Sequence, residues 1–225
     1  MKLSNKILVG FFGFIFLYLT AAFAELRLTG IPNVIDDTNS IAETADLSGV
    51  RYLILNDAVK NIEIVGADRA QLEVRSFSGG LLEKLKYGFS GDTLTLSGFE
   101  SEDINRFRIS IFVPKGLKGI IVNNSAAAVR SLELDHLYIS LNSGRAWMSD
   151  SRIAKIEMDV SNKSYLDISG SDVDTLSATI EESRIHIYSP IGVLQGSMKN
   201  SSFLQLNNIN EIQLKKDENS RLNLY

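Results

Sequence analysis

The chain has 225 residues, 44% of them hydrophobic and 22% charged, with a formal net charge of −4 and no cysteine. That length allows one or two domains and a sizeable core. The absence of thiols excludes disulfides, thiolate metal sites, a cysteine nucleophile and a lipid-modified N-terminal cysteine.

Lys2 and Lys6 precede an uncharged run from Ile7 to Ala24, rich in Phe, Leu and Ile. A positive flank, an apolar run and then polar chain is an export signal. Residues 1–24 are therefore either a cleaved signal peptide or a transmembrane anchor. Ala22-Phe23-Ala24 has the small-x-small form of a cleavage site, which would make Glu25 the mature N-terminus. The run of 18 residues also exceeds the usual signal core of about 7–15 and reaches the roughly 17–25 that span a bilayer. Both readings export the rest of the chain, because Lys2 and Lys6 favour the cytoplasmic side. The mass of the mature chain separates them. From Glu25 onward the net charge is −6, with 21 basic and 27 acidic residues. That argues against nucleic acid as a partner.

Residues 25–48 read as a linker, with Gly30, Pro32, Asp36, Asp37, Glu43 and Asp46 and little periodicity. From Gly49 the pattern is that of strands. Arg51–Leu55, Asn61–Val65, Gln71–Phe77, Thr93–Leu96 and Phe107–Val113 alternate or are rich in β-branched residues. Leu81 to Tyr87 suits a short helix or a strand. A strand over Lys84–Phe89 would pair with Thr93–Leu96 across Ser90-Gly91-Asp92. Residues 49–116 are expected to form the first, irregular coils of a single solenoid domain over 49–225.

From residue 117 a repeat runs to the last residue. A small residue recurs at Ser125, Gly144, Ser164, Ser183, Ser202 and Ser220, with spacings of 19, 20, 19, 19 and 18. Two residues earlier stand Asn123, Asn142, Asn162, Glu181, Asn200 and Glu218. Two and four residues later stand mostly apolar pairs, such as Leu166/Ile168 and Ile185/Ile187. A fixed period of this length with strand alternation is the mark of a β-solenoid of six coils over 117–225. Each coil is expected to send two to four apolar residues inward. The hexapeptide signature of left-handed coils is absent, so the expected fold class is all-β: a right-handed parallel β-helix with a period of about 19, preceded by one N-terminal hydrophobic helix.

Asn61-Ile62-Glu63-Ile64-Val65-Gly66, Leu72-Glu73-Val74, Gly91-Asp92-Thr93-Leu94-Thr95-Leu96 and Phe107 to Pro114 follow one another, and Leu117-Lys118-Gly119-Ile120 leads into the coils. This order resembles the head GIN domain ("putative auto-transporter adhesin") family over about residues 50 to 225. The resemblance implies a right-handed β-helix and an adhesin-like role, and it brings no catalytic residues.

The Asn positions suit turns, because Asn tolerates left-handed backbone and bonds to its like neighbour in the next coil. If the apolar pairs point inward, two columns point outward. One is Ala126, Arg145, Tyr165, Arg184, Phe203 and Arg221; the other is Ala128, Trp147, Asp167, His186, Gln205 and Asn223. They form either a self-stacked ladder or a recognition face of Arg145, Trp147, Tyr165, Arg184, His186 and Phe203 for a protein or glycan partner.

A glycosidase needs two carboxyls about 5–10 Å apart. Asp150, Asp159, Asp167, Asp172 and Asp174 make no recognisable pair by spacing. His136 and His186 lack metal-motif spacing. No phosphate loop, nucleophile elbow or calcium-binding nonapeptide is present. The chain therefore reads as a non-enzymatic, exported cell-envelope solenoid with a structural or interaction role, needing no cofactor or metal. It would be held to the membrane by residues 7–24 if they are uncleaved. A polysaccharide-modifying β-helix enzyme and a membrane-anchored sensor or accessory subunit are the alternatives. The last coil, ending in Leu222, Leu224 and Tyr225, is a candidate surface for self-association.

Overall fold

The computed structural model describes residues 3–29, 35, 38–57, 62–99 and 106–225. It divides into two compact units, Met1–Val34 and Ile35–Tyr225.

The described residues of the first unit form one α-helix, Leu3–Thr29. Leu8, Phe11, Phe12, Phe14, Phe16 and Leu17 all expose most of their surface, so this stretch presents apolar side chains all round. The segment Leu8–Glu25 is long and apolar enough to cross a membrane. Its 18 residues rise about 27 Å, close to the ~30 Å hydrocarbon layer.

The second unit is a β-solenoid made of two sheets. Ten strands make the first sheet. In spatial order they are Ile41–Asp46, Gln71–Ser76, Phe107–Val113, Ile62–Gly66, Ala126–Arg130, Arg145–Ser149, Tyr165–Ser169, Arg184–Ile187, Phe203–Leu206 and Arg221–Leu224. Nine strands make the second. They run Ile209–Lys216, Ile191–Lys199, Asp172–Glu181, Arg152–Ser161, Glu133–Asn142, Gly119–Asn123, Tyr52–Asn56, Thr93–Phe99 and Leu85–Ser90. From Gly119 on, every ladder is parallel and each coil gives one strand to each sheet. Six coils result, as the repeat requires.

One coil shows how the sequence makes this shape. In Arg152–Ser161 the buried residues are Ile153, then Ile156, Met158 and Val160. The step from 153 to 156 breaks the period of two. The ladder to the next coil skips Ala154 at the same place. The register is the same on both sides of this unpaired position, so neighbouring coils turn together there and the long strand supplies two sides of the coil. Leu166 and Ile168 bury from the third side. Six aliphatic side chains therefore point inward, more than the two to four expected. Counting from the serine register saw the short strand alone. At about 1.5–3 kcal/mol per buried side chain, this burial is what offsets the ordering of each coil.

The recurring small residues are not only turn formers. Ser125, Ser164, Ser183, Ser202 and Ser220 are buried. The Gly144 amide donates to Ser164 Oγ (3.1 Å), the Ser164 amide to Ser183 Oγ (3.2 Å) and the Ser202 amide to Ser220 Oγ (3.2 Å). Ser164 and Ser183 Oγ in turn donate to the carbonyls of Ser161 and Glu181. Each hydroxyl thus satisfies a buried amide at the corner, where the ladder lapses. A second column does the same at the opposite corner. The Leu132, Ser151 and Ser171 amides donate to the hydroxyls of Ser151, Ser171 and Ser189. Its next position is Asn207, whose Oδ1 is buried without a partner among the described residues.

The asparagines bond along the stack as expected: Asn123 to Asn56 (2.9 Å), Asn162 to Asn142 (2.7 Å) and Asn200 to the Glu181 carboxylate (2.5 Å). Left-handed backbone falls on Asn162 and Asn200, but on Asn124 and Ser143 rather than Asn123 and Asn142. Those last two end strands, so the turn begins one residue later.

The N-terminal part departs most from the linear order. The strand expected near Lys84–Phe89 is Leu85–Ser90, antiparallel to Thr93–Phe99. Part of the expected linker is structured. Ile41–Asp46 pairs antiparallel with Gln71–Ser76, and Leu47 is buried. Residues 30–34 and 36–37 of that linker, and Asn61, lie outside the described residues. The coil of Tyr52–Asn56 and Ile62–Gly66 is flanked by the coil of 93–113 on one side and that of 119–130 on the other. The chain leaves this coil, builds the antiparallel strands, returns, and then steps over the coil to start the regular stack.

The last turn carries a pH dependence. Asp217 accepts the amides of Ser220 (2.8 Å) and Asn200 (2.7 Å). Hydrogen bonds from Ser220, then from Asn200, hold its carboxyl below the ordinary 3.8. A depressed carboxylate stabilises the fold above its ordinary value, and loses that contribution as pH falls through the folded value. Protection of the Asn200 and Ser220 amides in hydrogen exchange should therefore drop selectively at pH below about 3.8, and Asp217→Ala should remove that step.

Candidate functional site

The short strands from Ala126 to Leu224 place the two outward columns in register. Arg145 pairs with Ala126 and Tyr165, Tyr165 with Arg184, Arg184 with Phe203, and Phe203 with Arg221. Beside them Trp147 faces Asp167, Asp167 faces His186, and His186 faces Gln205. All six candidate residues therefore share one face. Flanking positions such as Ala146, Met148, Ile185 and Ile187 are buried, which fixes the outward direction of the residues between them.

The rings form a connected cluster. Trp147 and Tyr165 lie 6.4 Å apart and tilted. His186 meets Tyr165 (5.4 Å), Phe203 (5.7 Å) and Tyr188 (6.1 Å), each edge to face. The Arg184 guanidinium sits 5.9 Å from the Phe203 ring centroid. Tyr165 Oη donates to Asp167 Oδ2 at 3.3 Å and lies 3.3 Å from His186 Nδ1. Partial burial, then the Asp167 charge, push the Tyr165 hydroxyl above its ordinary value. It is a fixed donor at neutral pH.

Trp147 keeps 44% of its surface exposed and Tyr188 45%. Arg145 and Arg184 are exposed, and neither forms an ion pair among the described residues. Between this face and the turn ridge of Lys163, Glu182 and Ser201 lies an open depression of about 620 Å³, with Arg145, Tyr165 and Phe203 along it. Lys163 and Glu182 pair with each other at 3.7 Å. Tyr188 was absent from the sequence reading. It follows Arg184 and His186 at the same alternation, so two more residues of the pattern would have found it.

The carboxylates are spread over the molecule. Asp150 has left-handed backbone in a turn, and Asp159 accepts the Tyr138 hydroxyl at 2.9 Å. Asp172 and Asp174 line a second open groove, of about 750 Å³, at the bend of the long strands. Glu133 and Asp135 line it too, a juxtaposition that spacing alone did not give. Lys115 meets Glu133 at 2.6 Å and Arg152 meets Asp172 at 3.6 Å. The hydrogen bond from Lys115 holds the Glu133 carboxyl below its ordinary value. His136 lies on the same long strand as Glu133 and Asp135, 3.6 Å from Glu157. Among the described residues, no three His, Asp or Glu side chains converge to hold a metal.

The solenoid resembles solved proteins. A "putative adhesin" from Bacteroides fragilis matches with a TM-score of 0.53 at 15% identity, over 83% of this chain and 97% of that one. A "putative adhesin" from Parabacteroides distasonis gives 0.48 at 11% identity, over 85% and 97%. A "putative lipid binding protein" from the same species gives 0.47 at 13% identity, over 84% and 98%. At these identities the likeness is one of fold. No family model and no curated protein matches the chain.

Proposed function

We propose that the chain is a non-catalytic, exported cell-envelope solenoid whose short-strand face is an adhesin-like interaction surface, within or close to the head GIN domain family. The observation that carries this reading is the ladder of solvent-facing rings and unpaired arginines around Trp147, Tyr165 and Arg184. Exposed aromatics and arginines favour binding, because rings bury large area at little side-chain entropy cost and the arginine fork makes paired hydrogen bonds. The apolar helix supports export, with residues 7–24 as the tether if they are retained. The names of the structural neighbours are compatible with an adhesin-like role.

The competing reading, a polysaccharide-modifying enzyme, would use the groove of Glu133, Asp135, Asp172 and Asp174. Glu133 and Asp172 are already engaged by Lys115 and Arg152. A general acid needs a carboxyl held above its ordinary value, and Glu133 is shifted the other way.

Beads coated with the full chain should adhere to bacterial or host cell surfaces, and Trp147→Ala/Tyr165→Ala should cut that adhesion about tenfold or more. The Asp135→Asn/Asp174→Asn variant should adhere normally. Full adhesion by the aromatic double variant, at an unchanged melting temperature, would overturn the proposal.

A further inference from the structure

We propose that this face takes a linear polysaccharide bearing one uronate per two sugars, lying along the stacking direction. The inference rests on the interaction-surface reading and names its ligand.

The argument begins with spacing. Consecutive coils stack at about 4.8 Å, the distance between paired strands. In the outer column, cations occupy alternate coils: Arg145, Arg184 and Arg221, with Tyr165 and Phe203 between them. The cations therefore recur at about 9.6 Å. A ligand that satisfies all of them carries an anion at that interval and a flat apolar surface between. Alternating uronate polysaccharides have this form. Their carboxylates fall on every second sugar, and the C–H faces of the sugar rings stack on aromatic side chains.

Most other linear anions fit worse. Each strand of duplex DNA places a phosphate roughly every 3.4 Å along the axis, nearly three for each arginine. The surplus charge would lie against Asp167 and Glu182, which also border the face. A polyproline II peptide with an acid at every third residue also repeats at about 9.3 Å and is the rival that the test includes. An acidic peptide in the β conformation instead turns successive side chains to opposite sides. Carboxylates three residues apart, the nearest match in length, would then point to opposite faces.

The chemistry agrees with the geometry. Arginine binds a carboxylate through two parallel hydrogen bonds, and Arg145 and Arg184 have no competing carboxylate within ion-pair reach among the described residues. Lys163, Glu182 and Ser201 along the depression supply donors and acceptors for sugar hydroxyls. Trp147, exposed beside Arg145, offers a ring face and an indole N–H.

The test measures binding of the full-length chain in detergent to hyaluronan and to unsulfated chondroitin, both with one carboxylate per disaccharide. Carboxyl-reduced hyaluronan, polygalacturonate, single-stranded DNA and an acidic polyproline peptide are the comparison ligands. At least one alternating uronate polymer should bind more tightly than all four comparison ligands. Arg145→Ala or Arg184→Ala should weaken that binding about tenfold, and the double variant about a hundredfold. These exposed positions should leave the melting temperature unchanged, so loss of fold is separable from loss of binding. Binding of neither alternating polymer, equal binding of the reduced polymer, tighter binding of any comparison ligand, or no response to the arginine variants would each overturn the inference. If Trp147→Ala/Tyr165→Ala abolishes adhesion while neither polymer binds, the surface is real and its ligand is not a uronate chain.

Discussion

Gly144→Ser, which restores the residue favoured by the repeat, is expected to destabilise the chain by about 1–3 kcal/mol. Consensus changes usually act in the other direction, by about 0.5–2 kcal/mol. The sign is decided by the neighbouring coil. A Cβ at position 144 would lie 2.7 Å from the Val122 carbonyl oxygen and 3.1 Å from Val122 Cγ1. The carbonyl belongs to the backbone and cannot turn aside like a flexible side chain. Gly144 also donates its amide to Ser164 Oγ, so a shift of the corner would stretch that bond. Thermal denaturation of Gly144→Ser beside the unsubstituted chain checks this. An equal or higher melting temperature would mean that coils separate here at little cost.

Leu176→Ala should be more damaging, at about 2–5 kcal/mol. Leu176 is fully buried and stands in a continuous inward column with Leu137, Ile156 and Leu194. Neighbouring coils on both sides are held in place by the strand ladders, so the cavity cannot collapse. The same truncation at Leu222, half-buried in the last coil, should cost about 1 kcal/mol. Urea titrations of the two variants measure the contrast. In a quasi-one-dimensional stack each coil contacts only its neighbours, and an inner coil has two of them. Equal losses at the two positions would show that burial is not what orders the coils.

The regular coils were legible because their signal is local. Six recurrences of one pattern set strand, corner and inward face together, and the register of Arg145, Tyr165 and Arg184 follows from it. The serine columns were harder. Ser in a turn-like context reads as turn chemistry, and only the stack reveals that the hydroxyls of Ser164 and Ser183 receive amides from the preceding coil. Ser151, Ser171 and Ser189 recur nearly as evenly, but no repeated Asn accompanies them and the column changes to Asn207 at its next position, which weakens the signal. Ile41–Asp46 was hidden for a different reason. Its sequence, Ile-Ala-Glu-Thr-Ala-Asp, has no apolar alternation, and its position comes from pairing with Gln71–Ser76. Alternation also says which face a strand buries but not which strand lies beside it. The placing of 52–66 between two later segments was therefore out of reach of any single-strand pattern.

That placing has a kinetic consequence. A chain is synthesised N-terminus first, yet the coil of Tyr52–Gly66 gains its two flanking neighbours only when residues 93–113 and 119–130 have followed. Until then its edges stay open on both sides. The later coils need only the one before them, some 18 to 20 residues back. Local contacts close quickly and distant ones slowly. Folding should thus begin late and then run fast: a slow step that assembles roughly the first half, followed by rapid winding of the remainder onto that template.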